Sequence, residues 1–197
     1  LVFALAQGPG GWTPTRLLLT GIVVAAGAGS LVSLLLALGD ESQLRGMVFW
    51  LLGDLSGTQR WPWLLALLVV ATAAGTVLGR HLNVLARGAT QAATVGLDVQ
   101  GMQLLLFVGS SVLTGCAVSA AGAIGFVGLV TPHLARLALG SDHRVVLPAA
   151  AVLGGALLMA ADLASRVLVA PRQLPVGALT ALVGVPLFLL LMSRQRG

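Results

Sequence analysis

Long apolar runs, broken by short polar clusters, set the plan of this chain. Leu17 to Leu38 carries no charge and is long enough to cross a bilayer once, which takes roughly 20 apolar residues. Thr13-Pro14-Thr15 ahead of it makes a helix start, and Arg16 falls at the interface. Further runs at 61–78, 102–121, 145–168 and 174–192 read as spans. The run from Ala123 to Val130 is too short by itself. It reaches the far side only if Pro132, His133 and Arg136 belong to the same helix, which gives a span over 124–139. Pro132 then removes one backbone donor, and a neighbouring turn or helix must compensate. Arg136 would lie near the end of that span, where a long cation reaches the headgroups. The pattern predicts an all-α fold: a polytopic transmembrane helical bundle of about six spans, with short helices between them.

The polar clusters have their own texture. Gly39 to Arg60 holds Asp40, Glu41, Arg45, Asp54 and Arg60, and inside it Met47 to Gly53 reads as a re-entrant or interfacial helix anchored by Trp50. Trp61-Pro62-Trp63 marks an interface, and Arg80 and His81 close the span that follows. Leu82 to Asp98 is not apolar enough to span and not polar enough to be disordered. Gly88 splits it into two short helical pieces, and Gly96 is a stop for the second. Small residues at close spacing allow helices to approach one another: Ala25, Gly27, Gly29, Ser30 and Ser33 in one span, and Gly109, Ser110, Ser111, Gly115 and Ser119 in another. Asp162 and Arg166 sit four residues apart on one helical face, the spacing of an intrahelical ion pair.

Composition narrows the class. Of the 197 residues, 57% are hydrophobic and only 9% are charged, and the mean hydropathy is +1.00. A soluble domain carries about 25% charged residues. Lysine is absent, so all eleven basic residues are arginine. A Walker A loop needs a lysine on its phosphates, so any ATP-driven role needs a partner subunit. The net charge of +5 does not suggest nucleic acid, because the arginines are scattered between apolar runs. Cys116 is alone, so an internal disulfide is excluded and a buried thiol is the default. Leu1 to Ala6 looks like the tail of a span already under way, so the chain is expected to be a fragment or the second half of something longer.

Charge also sets an orientation. Alternating spans put Arg16, Arg80, Arg87, Arg136, Arg144, Arg194 and Arg196 on one side and Arg45, Arg60, Arg166 and Arg172 on the other. The more basic side is cytoplasmic by the positive-inside rule. No catalytic constellation is present: there is no HExxH pair, no Gly-x-Ser-x-Gly elbow and no acidic dyad. His81, His133 and His143 all lie at span ends, and no metal site is expected from them.

Gly122 to Arg144 reads GAIGFVGLVTPHLARLALGSDHR. Its Gly122, Ile124, Phe126-Val127-Gly128-Leu129, Pro132-His133, Arg136, Asp142-His143-Arg144 and Leu147-Pro148 resemble the FecCD family. These are the membrane permeases of bacterial ABC importers for ferric siderophores, haem and vitamin B12. Trp50-Leu51-Leu52-Gly53, Leu174-Pro175-Val176-Gly177 and Gly184-Val185-Pro186 extend the resemblance, which runs from about Arg16 to Met192. It implies a multi-pass protein of the cytoplasmic (inner) membrane. Its expected partners are a pair of cytoplasmic ATPase subunits, a periplasmic or lipid-anchored substrate-binding protein, a second permease half and membrane lipid, with no nucleic acid. No cofactor is expected on this chain, and ATP would sit on the partner subunit.

The resemblance also assigns residues. In the family, two short cytoplasmic helices dock into a groove on the ATPase. The matching positions here are Leu82, Asn83, Leu85, Gly88, Ala92, Gly96 and Leu97. Many relatives carry Glu after the first glycine and Arg before the second, where this chain has Ala89 and Ala93. Arg166 matches an arginine that, in the vitamin B12 permeases, receives an acidic residue of the binding protein, and Asp162 would hold it in place. Thr13, Pro14 and Thr15 would lie near the cytoplasmic gate. Two other readings compete. One is a secondary transporter with Asp162 as its ion site, since carboxylates inside spans often serve that way. The other is a membrane scaffold packed through its small residues. The substrate, and whether the permease pairs as a homodimer, a heterodimer or a tandem fusion, are open.

Overall fold

The computed structural model describes residues 14–56 and 61–194. These residues form α1 (Pro14–Leu38), α2 (Glu41–Leu51), α3 (Trp61–Leu85), α4 (Ala89–Thr94), α5 (Val99–Ala121), α6 (Val127–Leu139), α7 (His143–Val167) and α8 (Val176–Arg194). There is no strand among them. The chain divides into two compact units, Leu1–Val48 and Phe49–Gly197.

The first unit holds α1 and most of α2. Pro14 opens α1 as expected, in the first turn where a missing N–H costs nothing. Thr13 lies outside the described residues. Within α1 the Ser30 and Ser33 hydroxyls donate to the Ala26 and Gly29 carbonyls at 2.9 and 3.0 Å. Each polar group is thereby satisfied inside an apolar helix. The short helix α2 begins at Glu41, well before Met47. The Asp40 carbonyl accepts from the Gln43 and Leu44 amides at 2.9 and 3.2 Å, and Glu41 in the first turn suits the helix dipole.

The second unit is built around α7, which packs on α3, α6 and α8. Its interior is made of small residues. Gly79 of α3, Val130, Thr131 and Ala135 of α6, Val146, Gly154 and Ser165 of α7, and Val176 and Thr180 of α8 are all buried. Large apolar side chains such as Trp63, Val77, Val152 and Met159 are exposed instead. This inversion suits lipid, where burying leucine between helices gains little and close backbone approach gains more.

Among the described residues, four helices are long and apolar enough to cross a membrane: Thr15–Leu38, Trp61–Leu85, Val99–Ala121 and His143–Val167. Val127–Leu139 and Val176–Leu191 are shorter apolar helices. Pro132, His133 and Arg136 do share one helix, but the segment read as 124–139 becomes helical only at Val127. Its 13 residues rise about 20 Å, short of the roughly 30 Å hydrocarbon core. The delay has a local cause. Gly122 ends α5 with φ 72 and ψ −169, and Phe126 enters α6 in the left-handed region at φ 67.

A second boundary also differs from the sequence reading. The span read as 61–78 continues without a break to Leu85, because Gly79 keeps helical geometry and the chain first turns to positive φ at Gly88, at 118. Only Ala89–Thr94 remains as a separate short helix, so Leu82, Asn83 and Leu85 belong to the last turns of α3. Cys116 is half-exposed on α5, which presents no buried residue to the unit, and is not the buried thiol expected.

Candidate functional site

The chemistry of the second unit gathers at the two ends of α7, a helix of 25 residues and therefore about 37 Å long. At its first end, Asp142 is the N-cap: its Oδ1 accepts from the Arg144 amide at 3.0 Å. Asn83, in the last turns of α3, meets this cap. Its Nδ2 donates to Asp142 Oδ1 at 2.7 Å. Its Oδ1 accepts from the His143 amide at 2.9 Å, and His143 Nδ1 lies 2.7 Å from the same oxygen. With Nδ2 committed to a carboxylate, Oδ1 can only accept, so Nδ1 of His143 carries a proton. One turn earlier on α3, Gly79 is pressed against the start of α7. A Cβ there would come within 2.6 Å of Arg144 Cγ and 3.1 Å of its amide nitrogen.

An open cavity of about 510 Å³ lies beside this junction, lined by Asn83, Ala86, Arg87, Arg136, Ser141, Asp142 and His143. Below it, Gly88 serves as the N-cap of α4 at φ 118, without a side-chain cap. The other end of α4 closes as a Schellman motif. The Leu97 amide donates to the Ala92 carbonyl at 3.1 Å, the Gly96 amide to Ala93 at 3.0 Å, and Gly96 sits at φ 83. Ala92 is fully buried, and Asp98 then caps α5 by accepting from the Gly101 amide at 3.0 Å. Of the predicted segment, Leu82, Asn83 and Leu85 therefore belong to one spanning helix. Gly88, Ala92, Gly96 and Leu97 form a short closed loop between α3 and α5.

At the second end of α7, Asp162 and Arg166 pair as their spacing predicts. Nε lies 2.9 Å from Asp162 Oδ2 and Nη2 lies 3.1 Å from Oδ1, a two-point contact. The arginine side chain is still 48% exposed, so the pair leaves it accessible. Beside it three glycines meet. A Cβ on Gly122 would collide with the Trp50 carbonyl oxygen, and one on Gly177 with the Leu52 carbonyl oxygen. On Gly53 it would come within 2.7 Å of Ile124 Cγ1. Backbone bonds tie the same strands of chain: Asp54 N–H to Ala121 at 2.9 Å, and Val176 N–H to Gly53 at 3.1 Å. Asp54 in turn holds the Ser56 hydroxyl, at 2.7 and 2.8 Å.

The Gly122 to Arg144 motif thus divides between the two ends. Gly122 and Phe126 shape the Asp162 end, with Phe126 Cβ filling the space that Gly184 leaves by lacking its own. Asp142, His143 and Arg144 shape the other end, where Arg136 also lines the cavity. Gly128, Pro132 and His133 lie along α6 between them, and His133 Nε2 is buried with no hydrogen-bond partner among the described residues. Pro14 and Thr15 belong to the first unit. Sequence reasoning missed the three-glycine junction as a single structure, although the Trp-x-x-Gly and Leu-Pro-x-Gly spacings marked two of its members. It also missed the Asn83 bridge, which joins residues 59 and 60 positions apart.

An all-helical bundle that hides glycine, alanine and serine and displays leucine, valine and tryptophan is a membrane protein. Residues 1–194 match the FecCD transport family, and the chain belongs to it. It is 42% identical to the hemin transport system permease protein HmuU of Yersinia pestis, over 100% of this chain and 59% of that protein. It is 44% identical over 195 residues to the cobalamin import system permease protein BtuC of Halobacterium salinarum, covering 97% of this chain and 52% of that one. The chain therefore spans between 52% and 59% of the length of these curated relatives. Among solved structures, a metal-chelate type ABC transporter in an inward-facing conformation matches with a TM-score of 0.85 and 30% identity. That match covers 92% of this chain and 60% of the other.

Proposed function

We propose that this chain is part of the permease subunit of an ATP-binding-cassette importer that carries a metal chelate (a ferric siderophore, haem or cobalamin) across the cytoplasmic membrane. The observation that carries the reading is the closed loop around α4. Two long apolar helices, α3 and α5, are joined by a short helix with a buried alanine at its centre and a glycine in the left-handed half of backbone space at each end. A loop held this firmly transmits force, whereas a flexible connection between spans would absorb it. The segment from Leu82 to Asp98 would dock in a groove of a cytoplasmic ATPase, with Ala89 and Ala93 making that contact less charged than in many relatives.

The remaining roles follow from this orientation. Arg166 would face outward, steadied by Asp162, and receive an acidic residue of a substrate-binding protein. Thr13, Pro14 and Thr15 would lie near the inner gate, and α1 would line the path against a second permease half. ATP binding on the partner subunits would favour one of two helix packings, so that the path opens alternately to each side. Hydrolysis belongs to the partner, and this chain acts as a transport subunit. The competing use of Asp162 as an ion site is disfavoured by its two-point bond to Arg166, which occupies both carboxylate oxygens.

Uptake by proteoliposomes holding the full-length parent, its ATPase and its binding protein tests this reading. Labelled ferric siderophore, haemin and cobalamin would be offered in turn. Uptake of one of them that needs ATP and survives a protonophore is expected. Uptake that persists without the ATPase and collapses with the proton gradient would instead make the chain an ion-coupled carrier.

A further inference from the structure

Asn83 falls within the segment matched to ATPase docking, yet both of its side-chain polar atoms bond inside the bundle, at the edge of the open cavity. The amide nitrogen is on Asp142 at 2.7 Å, and the amide oxygen receives the His143 backbone at 2.9 Å and Nδ1 at 2.7 Å. We propose that Asn83 is the positioning residue that passes ATPase-driven movement of the α4 loop into α7, through its bridge to Asp142 and His143. This role rests on the importer reading above.

Three features support it. First, Asn83 lies two residues before the end of α3, and the Ala86, Arg87 and Gly88 amides bond back to the Leu82, Val84 and Leu85 carbonyls, so displacement of α4 reaches it through a short hydrogen-bonded turn. Second, its partners are the N-cap and first residue of α7, and a cap moves with its helix. Third, the contact is a charged hydrogen bond reinforced by close backbone approach at Gly79, whose missing Cβ lets α3 lie against Arg144. Apolar packing between smooth helices tolerates sliding, whereas a bond to an ionised carboxylate holds over a narrow range of distance and angle. The far end of the same α7 carries Arg166. One helix therefore joins the loop proposed for the ATPase to the side chain proposed for the binding protein.

The test is a charge swap read as a coupling ratio. The full-length parent is purified with its ATPase, reconstituted with its binding protein, and scored as substrate moved per ATP hydrolysed. Taking the ratio on assembled complexes removes any effect of yield, and hydrolysis measured without binding protein and substrate is subtracted first. Asn83→Asp sets a second carboxylate against Asp142, and the ratio should fall about ten-fold, within the usual range of coupling between sites. Combining it with Asp142→Asn removes the like-charge pair. Asp142 uses one oxygen, Oδ1, for both the Asn83 bond and the α7 cap. The amide that replaces it keeps its carbonyl oxygen on the cap, and the side chains at 83 and 142 turn so that its NH2 donates to the carboxylate now on α3. The double variant should return to within about two-fold of the parent, a recovery that reinstating one such bond predicts. If Asn83→Asp does not assemble, Asn83→Ala removes the bridge without repulsion and is read in the same way. A normal ratio in the single variant, or no recovery in the swap, overturns the role while leaving the importer reading standing. A parent that binds no ATPase at all sinks the importer reading, and this role with it.

Discussion

Three glycines within one stretch of sequence should respond very differently to the same added methyl group. Gly122 and Gly140 share a backbone conformation, at φ 72, ψ −169 and φ 86, ψ −170. That region is open essentially to glycine alone, and placing alanine there costs about 1–3 kcal/mol. At Gly140 a Cβ meets nothing within 4 Å, so strain is the whole penalty. At Gly122 the Cβ also lands on the Trp50 carbonyl oxygen and 3.1 Å from Gly53 Cα. Those atoms are backbone and cannot rotate away, so overpacking adds about 1–3 kcal/mol. Gly125 has neither problem. The expected order is Gly122→Ala, destabilised by about 2–6 kcal/mol, then Gly140→Ala by about 1–3, then Gly125→Ala near zero. Equilibrium unfolding of the full-length parent in mixed micelles, followed by tryptophan emission, measures the series. Trp50 supplies the colliding carbonyl, so its emission also reports on the junction. Equal losses at Gly122 and Gly140 would refute the three-glycine junction, and a large loss at Gly125 would refute the distinction altogether.

Two functional variants follow from the proposed roles. Arg166→Glu places two carboxylates four residues apart on one helical face, and should weaken binding-protein docking in a pull-down while the ATPase still assembles. Unchanged docking removes Arg166 from that surface. Gly96→Val puts a β-branched residue at φ 83, which opens the Schellman closure of α4 and should let ATP hydrolysis run without uptake. Tight coupling in that variant would place the transmitting loop elsewhere.

Much of this was legible in one sequence because membrane solvation writes large signals. Apolar runs of spanning length announced α1, α3, α5 and α7, and the four-residue spacing of Asp162 and Arg166 announced their bond. Boundaries were harder where a helix ends for backbone reasons. The left-handed entry at Phe126 shortens α6, and nothing about an aromatic residue suggests it. The continuation of α3 to Leu85 was hidden because Arg80 and His81 look like an ending, yet polar residues do not break a helix that has emerged from lipid. Contacts distant in sequence left no local trace. Asn83 looked like a surface residue of a docking segment because its partners lie some sixty positions away. Gly53 and Gly177 were visible as members of the Trp-x-x-Gly and Leu-Pro-x-Gly segments, while their meeting with Gly122 depends on how three separate chain segments cross.

Co-purification asks whether Leu82 to Asp98 carries the proposed docking to an ATPase. The full-length parent would be extracted in detergent with its candidate ATPase, once intact and once with the α4 loop replaced by a flexible linker. The ATPase is expected to come down with the intact protein alone. Binding to neither form, or equal binding to both, would contradict it.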